Sequence, residues 1–146
     1  MKSQRFGIEI EMTGLTRRSA ALIIAKHFDT GFRHERGVYD TYSVCDQDGR
    51  KWKIVRDASI TPQCGNRFDY DPDYKVEVVS PICHYEDIET IQSIVRELRR
   101  NGHAKVNESC GIHIHVDASK HTARSLRNIA NIMYSKEDLI FKALKV

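Results

Sequence analysis

Residues 110 to 117 read C-G-I-H-I-H-V-D, and their unbroken alternation of apolar and polar side chains restricts the chain more than any other stretch. Successive side chains of a strand point to opposite faces of a sheet. The pattern therefore predicts a strand with Ile112, Ile114 and Val116 on one face and His113, His115 and Asp117 on the other. The same period recurs at R-F-G-I-E-I-E-M, where Phe6, Ile8, Ile10 and Met12 oppose Gly7, Glu9 and Glu11. It returns in K-V-E-V-V-S, where Val76 and Val78 oppose Lys75, Glu77 and Val79. Three such segments call for a sheet that is apolar on one face and carries acids and imidazoles on the other.

Between these segments the periodicity changes. V-Y-D-T-Y-S-V-C and K-W-K-I-V-R read as a hairpin turned at Asp48-Gly49. Residues 16 to 28 predict a helix capped by Thr16, with Ala21, Leu22, Ala25 and Phe28 at helical spacing. Residues 86 to 101 predict a second, carrying Ile88, Ile91, Ile94, Val95 and Leu98 and stopped at Asn101-Gly102. A third starts near Thr122, with Leu126, Ile129, Ala130 and Met133 as its stripe. Residues 61 to 74, rich in Pro, Gly, Asn and Asp, read as a loop. The order of elements fits one α+β domain, a mostly antiparallel sheet whose Ile/Val face is covered by helices.

Composition narrows the function classes. The chain of 146 residues is 40% hydrophobic and 29% charged, with no apolar run approaching the ~20 residues of a membrane span. The N-terminus enters a strand pattern without an apolar leader, and Cys45, Cys64, Cys83 and Cys110 lack C-x-x-C spacing; reduced thiols and a cytoplasmic location are expected. A net charge of +3 accommodates an anionic ligand. Nucleic acid is not an expected partner, since aromatic residues do not interleave with the basic ones, and R-E-L-R-R at 96–100 reads as a solvated helix face.

Same-face neighbours on a strand lie roughly 6.5–7 Å apart, so Glu9 and Glu11 can converge on one ion or hold two adjacent ones. Glu77 adds a carboxylate from a second strand, and His113, His115 and Asp117 add theirs from a third. Carboxylates gathered on one face repel one another unless a cation compensates them. Three glutamates with one or two histidines are mostly hard oxygen ligands, which suit Mg²⁺ or Mn²⁺ better than Zn²⁺. Magnesium shares its shell with phosphate oxygens, which points to a nucleotide. Asp57, in V-R-D-A-S-I, ends a strand and either caps a turn or joins the site. A metal-dependent hydrolase built on His113 and His115 and a non-catalytic metal- or nucleotide-binding module are the competing readings. His27, His34, His84, His103 and His121 form no second cluster in sequence.

Four segments in order, F-G-I-E-I-E at 6–11, R-D-A-S-I at 56–60, V-E-V-V-S-P at 76–81 and V-N-E-S-C-G-I-H-I-H-V-D-A at 106–118, resemble the motifs of the amidoligase family. That family is similar to glutamine synthetase and glutamate–cysteine ligase. The resemblance implies a curved antiparallel sheet of the glutamine synthetase type, helices outside, and ATP with metal ions on a concave polar face. It implies Glu9, Glu11, Glu77 and His113 as metal ligands, and His113 with His115 at the metal–nucleotide boundary. Asp57, His115 and Asp117 are the candidate catalytic positions, the two aspartates without an assigned role. The implied reaction is ATP- and Mg²⁺-dependent amide formation between a small-molecule or peptide carboxylate and an amine, through an acyl phosphate. Two departures accompany the resemblance. Ala58 stands where the family commonly has glycine, and the sequence stops inside a helical pattern where family members continue, so the C-terminal half of the catalytic domain is expected to be missing.

Overall fold

The computed structural model describes residues 3–65, 67–68 and 70–144. They fall into two units, Met1–Val116 and Asp117–Val146. The first holds a six-stranded, wholly antiparallel sheet built from β1 (Phe6–Met12), β2 (Phe32–Arg36), β3 (Thr41–Cys45), β4 (Lys51–Val55), β7 (Val76–Val79) and β8 (Ile112–Val116). Its order is β2-β3-β4-β7-β1-β8. The short strands β5 (Gln63–Cys64) and β6 (Arg67–Phe68) pair apart from it. Helices α1 (Arg17–His27) and α2 (Ile88–Asn101) complete the unit.

The local signals account for the helix ends. Thr16 is extended and its hydroxyl accepts the Ser19 amide at 3.2 Å, filling one of the free donors of the first turn of α1. Gly102 caps α2 in a right-handed conformation, and His103 takes the left-handed one. Glycine is needed at 102 for space: a Cβ there would lie 2.7 Å from the Leu98 carbonyl oxygen and 2.8 Å from Ile23 and Leu15.

The core lies between the helices and one face of the sheet. Ala20, Ala21, Ile24 and Ala25 of α1 and Ile91, Ile94 and Leu98 of α2 bury against Met12, Val44, Trp52, Ile54, Val76 and Val78. The alanines let α1 approach the strands closely. Leu22, expected inside, is 56% exposed, because the buried arc of α1 runs through Ala20 and Ile24. Arg17 is buried instead. Its guanidinium binds Asp40 and Asp73, and donates to the Pro72 and Lys75 carbonyls. It thereby pins the segment that leads into β7.

The structure departs from the sequence pattern in three places. F-R-H-E-R forms β2, an edge strand whose charged residues hide the period; pairing to β3 and stacking of His34 on Tyr42 at 4.2 Å hold it there. Edge strands of this charged kind resist pairing with other chains. Residues 61 to 74 are not a plain loop, since they carry β5, β6 and a 3-10 turn at Pro72–Tyr74. The Thr13 hydroxyl accepts the Gln63 amide at 2.7 Å, tying this segment down. Finally, α1 and α2 do not cover the whole Ile/Val face. Ile112, Ile114 and Val116 of edge strand β8 stay 63%, 64% and 55% exposed, beyond the footprint of α1 and α2.

The second unit contains α3 (Ala123–Leu144). The Thr122 hydroxyl accepts the Ser125 amide at 3.2 Å, a capping contact. Leu126, Ile129 and Met133 lie on α3 and none of its residues is buried. No helix among the described residues is long and apolar enough to cross a membrane. All four cysteines are free thiols.

Candidate metal centre

Strand register brings the predicted residues together. Directly opposed residues of antiparallel strands share a face. Glu9 lies opposite His113 on one side and Val79 on the other, and Glu11 lies opposite Glu77. Gly7 faces His115. Glu9, Glu11, Glu77, His113 and His115 therefore share one face, the one turned away from the α1–α2 core.

Two overlapping groups of ligand atoms result. One atom each from Glu9, Glu77 and His113 lie within 4.8 Å of one another, and the same holds for Glu11, Asp57 and Glu77. Glu77 belongs to both. Asp57 comes from the turn after β4, which pairs with β7 through Val55 and Glu77. Its Oδ1 accepts the Ser59 amide at 2.6 Å and the Ser59 hydroxyl at 2.5 Å, so it caps a turn and also joins the cluster.

Each acid has different support. Glu9 accepts from His113 Nδ1 at 3.2 Å and meets His115 Nε2 at 3.3 Å. Glu11 is buried, and its Oε2 accepts the Gly111 amide at 2.6 Å. Glu77 is also buried, and among the described residues no hydrogen bond or ion pair reaches its carboxylate. Gly111 and Ser59 were not singled out by the sequence; D-A-S, with serine two residues after aspartate, is a turn signature that points to the second.

Electrostatics follow from this layout. Burial pushes the Glu77 carboxyl up to about 7, and the charges of Glu9, Asp57 and Glu11 add to the rise, with His113 opposing it. Burial also acts to raise Glu9, but the hydrogen bonds from His115 and His113 outweigh it and hold Glu9 below the ordinary value. Asp57 is lowered by its bonds to Ser59. His113 is raised by its bond to Glu9. The face thus holds more negative charge than its own histidines balance, and Glu77 at the middle bears the cost. Hard oxygen donors gathered around an unpaired carboxylate fit a divalent cation.

Asp117 belongs to the second unit, where it accepts the Ser119 amide at 2.9 Å and the Ser119 hydroxyl at 3.0 Å. The other histidines have local partners, His27 with Glu97 at 2.8 Å and His34 with Asp40 at 2.6 Å.

Residues 2–146 match the family described as "Putative amidoligase enzyme". Comparison with curated proteins and with solved structures gives no match.

Proposed function

The chain belongs to this amidoligase family, and from that premise we propose that it joins a carboxylate to an amine at the expense of ATP, using two divalent cations on the Glu9–Glu77 face. Glu9, Glu77 and His113 would hold one cation, Glu11, Asp57 and Glu77 the other, with Glu77 shared. Mg²⁺ or Mn²⁺ fits this oxygen-rich set, in which the donors are four carboxylates and one imidazole. Such ions supply neutralisation and alignment of the phosphate and carboxylate oxygens.

In the reaction, an oxygen of the substrate carboxylate attacks the γ-phosphorus and the bond to the bridging oxygen breaks, releasing ADP and leaving an acyl phosphate. The amine nitrogen then adds to the acyl carbon, phosphate departs, and the nitrogen loses a proton. No nucleophilic side chain is required, so the chain's own contribution is positioning and charge. Gly111 fixes Glu11, Ser59 fixes Asp57, and the two histidines orient Glu9. His115, the more exposed of the two, is the group suited to reach a phosphate or substrate oxygen.

The observation that carries this reading is the sharing of Glu77, buried and without a hydrogen-bonded or ion-paired partner, between two ligand groups. Titration calorimetry with a non-hydrolysable ATP analogue tests it. Binding that requires Mg²⁺ and disappears in the Glu9→Ala/Glu11→Ala double variant, with the circular dichroism spectrum retained, is expected. Binding indifferent to Mg²⁺ or to the double variant refutes it. Hydrolytic turnover without ATP would favour a metal-dependent hydrolase instead.

A further inference from the structure

The face that carries the acids does not end at β7. Register extends the row of Glu9 across the sheet: His113, Glu9, Val79, Lys53, Ser43 and Arg33 oppose one another in sequence on five neighbouring contacts. Within this row Glu9 stands on the β7–β1–β8 side and Lys53 and Arg33 on the β4–β3–β2 side, where Glu35 of β2 accepts from the Ser43 hydroxyl at 2.9 Å. Val79 separates Glu9 from Lys53, so no carboxylate stands between them.

Other cations near this face are already engaged. Lys51 is paired with Glu35 at 2.9 Å, and the Lys75 ammonium donates to the Ala58 carbonyl at 2.7 Å. Lys53 and Arg33 are exposed, and among the described residues neither makes an ion pair or a hydrogen bond from its side chain. Lys53 acts on Glu35 only at a distance, through its charge.

Charge balance gives this row a purpose. Glu9, Glu11, Asp57 and Glu77, when ionised, already neutralise two divalent cations. A triphosphate brought to those cations would carry charge that the metal centre alone does not offset. Two strand spacings, roughly 10 Å, separate the Cα atoms of Lys53 and Glu9, a gap that a lysine side chain and a phosphate chain bridge together.

Resting on the ligase reading above, we propose that Lys53, with Arg33 behind it, is the docking site for the phosphate chain of the nucleotide. The metal centre holds one end of the polyphosphate, and the Lys53 ammonium holds oxyanions that the metals leave uncovered. Lys53 is a binding residue in this scheme and takes no proton.

The test uses inorganic tripolyphosphate, which removes any contribution from base or sugar. Calorimetry is run on the full chain with Mn²⁺ alone, then with tripolyphosphate in Mg²⁺, for the wild type, Lys53→Met and Lys53→Arg. A charge-assisted hydrogen bond to phosphate is lost in Lys53→Met, so its tripolyphosphate affinity should fall about tenfold or more. Its Mn²⁺ affinity should stay at the wild-type value, and Lys53→Arg should recover most of the loss. Equal tripolyphosphate affinity in wild type and Lys53→Met overturns the inference and leaves the ligase reading standing. A parallel loss of Mn²⁺ affinity also overturns it, since Lys53 would then serve the metal centre or the fold. If the wild type takes Mn²⁺ but no tripolyphosphate, this inference and the nucleotide reading fall together.

Discussion

Replacing Glu77 by glutamine should stabilise the metal-free protein and destroy the advantage of adding metal. The carboxyl of Glu77 titrates near 7 in the fold against an ordinary 4.5, because burial and the charges of Glu9, Asp57 and Glu11 disfavour its ionised form. A carboxyl raised in this way costs the folded state nothing below about 4.5 and most above about 7. Stability contributed by the protonated acid is therefore present at low pH and lost as the pH rises through 7. The gap corresponds to roughly 3 kcal/mol at full effect. Water reaches part of this polar face, so about half of it, roughly 1–2 kcal/mol, is the realistic expectation. Glutamine keeps the shape and never ionises. In EDTA, Glu77→Gln should match the wild type at pH 5 and exceed it by that margin at pH 8. Urea denaturation followed by Trp52 fluorescence measures this directly, since Trp52 is the one tryptophan, buried and packed 5.6 Å from Phe28. With Mn²⁺ at saturation the order should invert at pH 8, because ligand binding to the folded state stabilises only the protein that retains the ligand. A stability difference that stays flat from pH 5 to pH 8 in EDTA would refute the claim that Glu77 is a strained, uncompensated acid.

Three further substitutions test the scaffold around the site. Arg17→Met removes the guanidinium shared by Asp40, Asp73 and the Pro72 and Lys75 carbonyls, and should cost about 2–4 kcal/mol in urea denaturation. Because that anchor sits directly before β7, a weaker Mn²⁺ affinity through Glu77 should accompany the loss. Gly14→Ala and Gly37→Ala make a matched pair: both positions are left-handed, at φ 86° and 81°, but only at Gly14 would the new Cβ strike backbone, 2.8 Å from the His103 carbonyl oxygen. Thermal denaturation should show about 1 kcal/mol lost at Gly37 and clearly more at Gly14, the excess being the steric part.

Several features that rest on near neighbours were determined by the amino-acid sequence itself. Thr16 caps α1 because a hydroxyl three residues from a free amide closes a local bond, and Asp48-Gly49 turns the hairpin because Gly49 adopts φ 76°. The alternation in residues 6–12 and 112–116 fixed which side chains share a face before any partner strand was known, and with it the grouping of Glu9 with Glu11 and of His113 with His115. Strand β2 leaves no such trace in the sequence because an exposed edge needs no apolar period; its place comes from hydrogen bonds to β3. Only the tertiary structure decided which faces meet. The order β4-β7-β1-β8 sets Glu77 beside Glu11 and carries the turn after β4 to them, so that Asp57, which the sequence left between a turn cap and a site residue, caps its turn and also lies in one cluster of ligand atoms with Glu11 and Glu77. The burial of Arg17 under the Asp40 turn and the Pro72–Lys75 segment, and the exposure of Ile112, Ile114 and Val116 beyond the footprint of α1 and α2, were settled in the same way. Periodicity acts through bonds between adjacent residues and is written along the chain. Register and coverage arise from contacts between segments tens of residues apart, where the pairing as a whole, and no single residue, selects the arrangement.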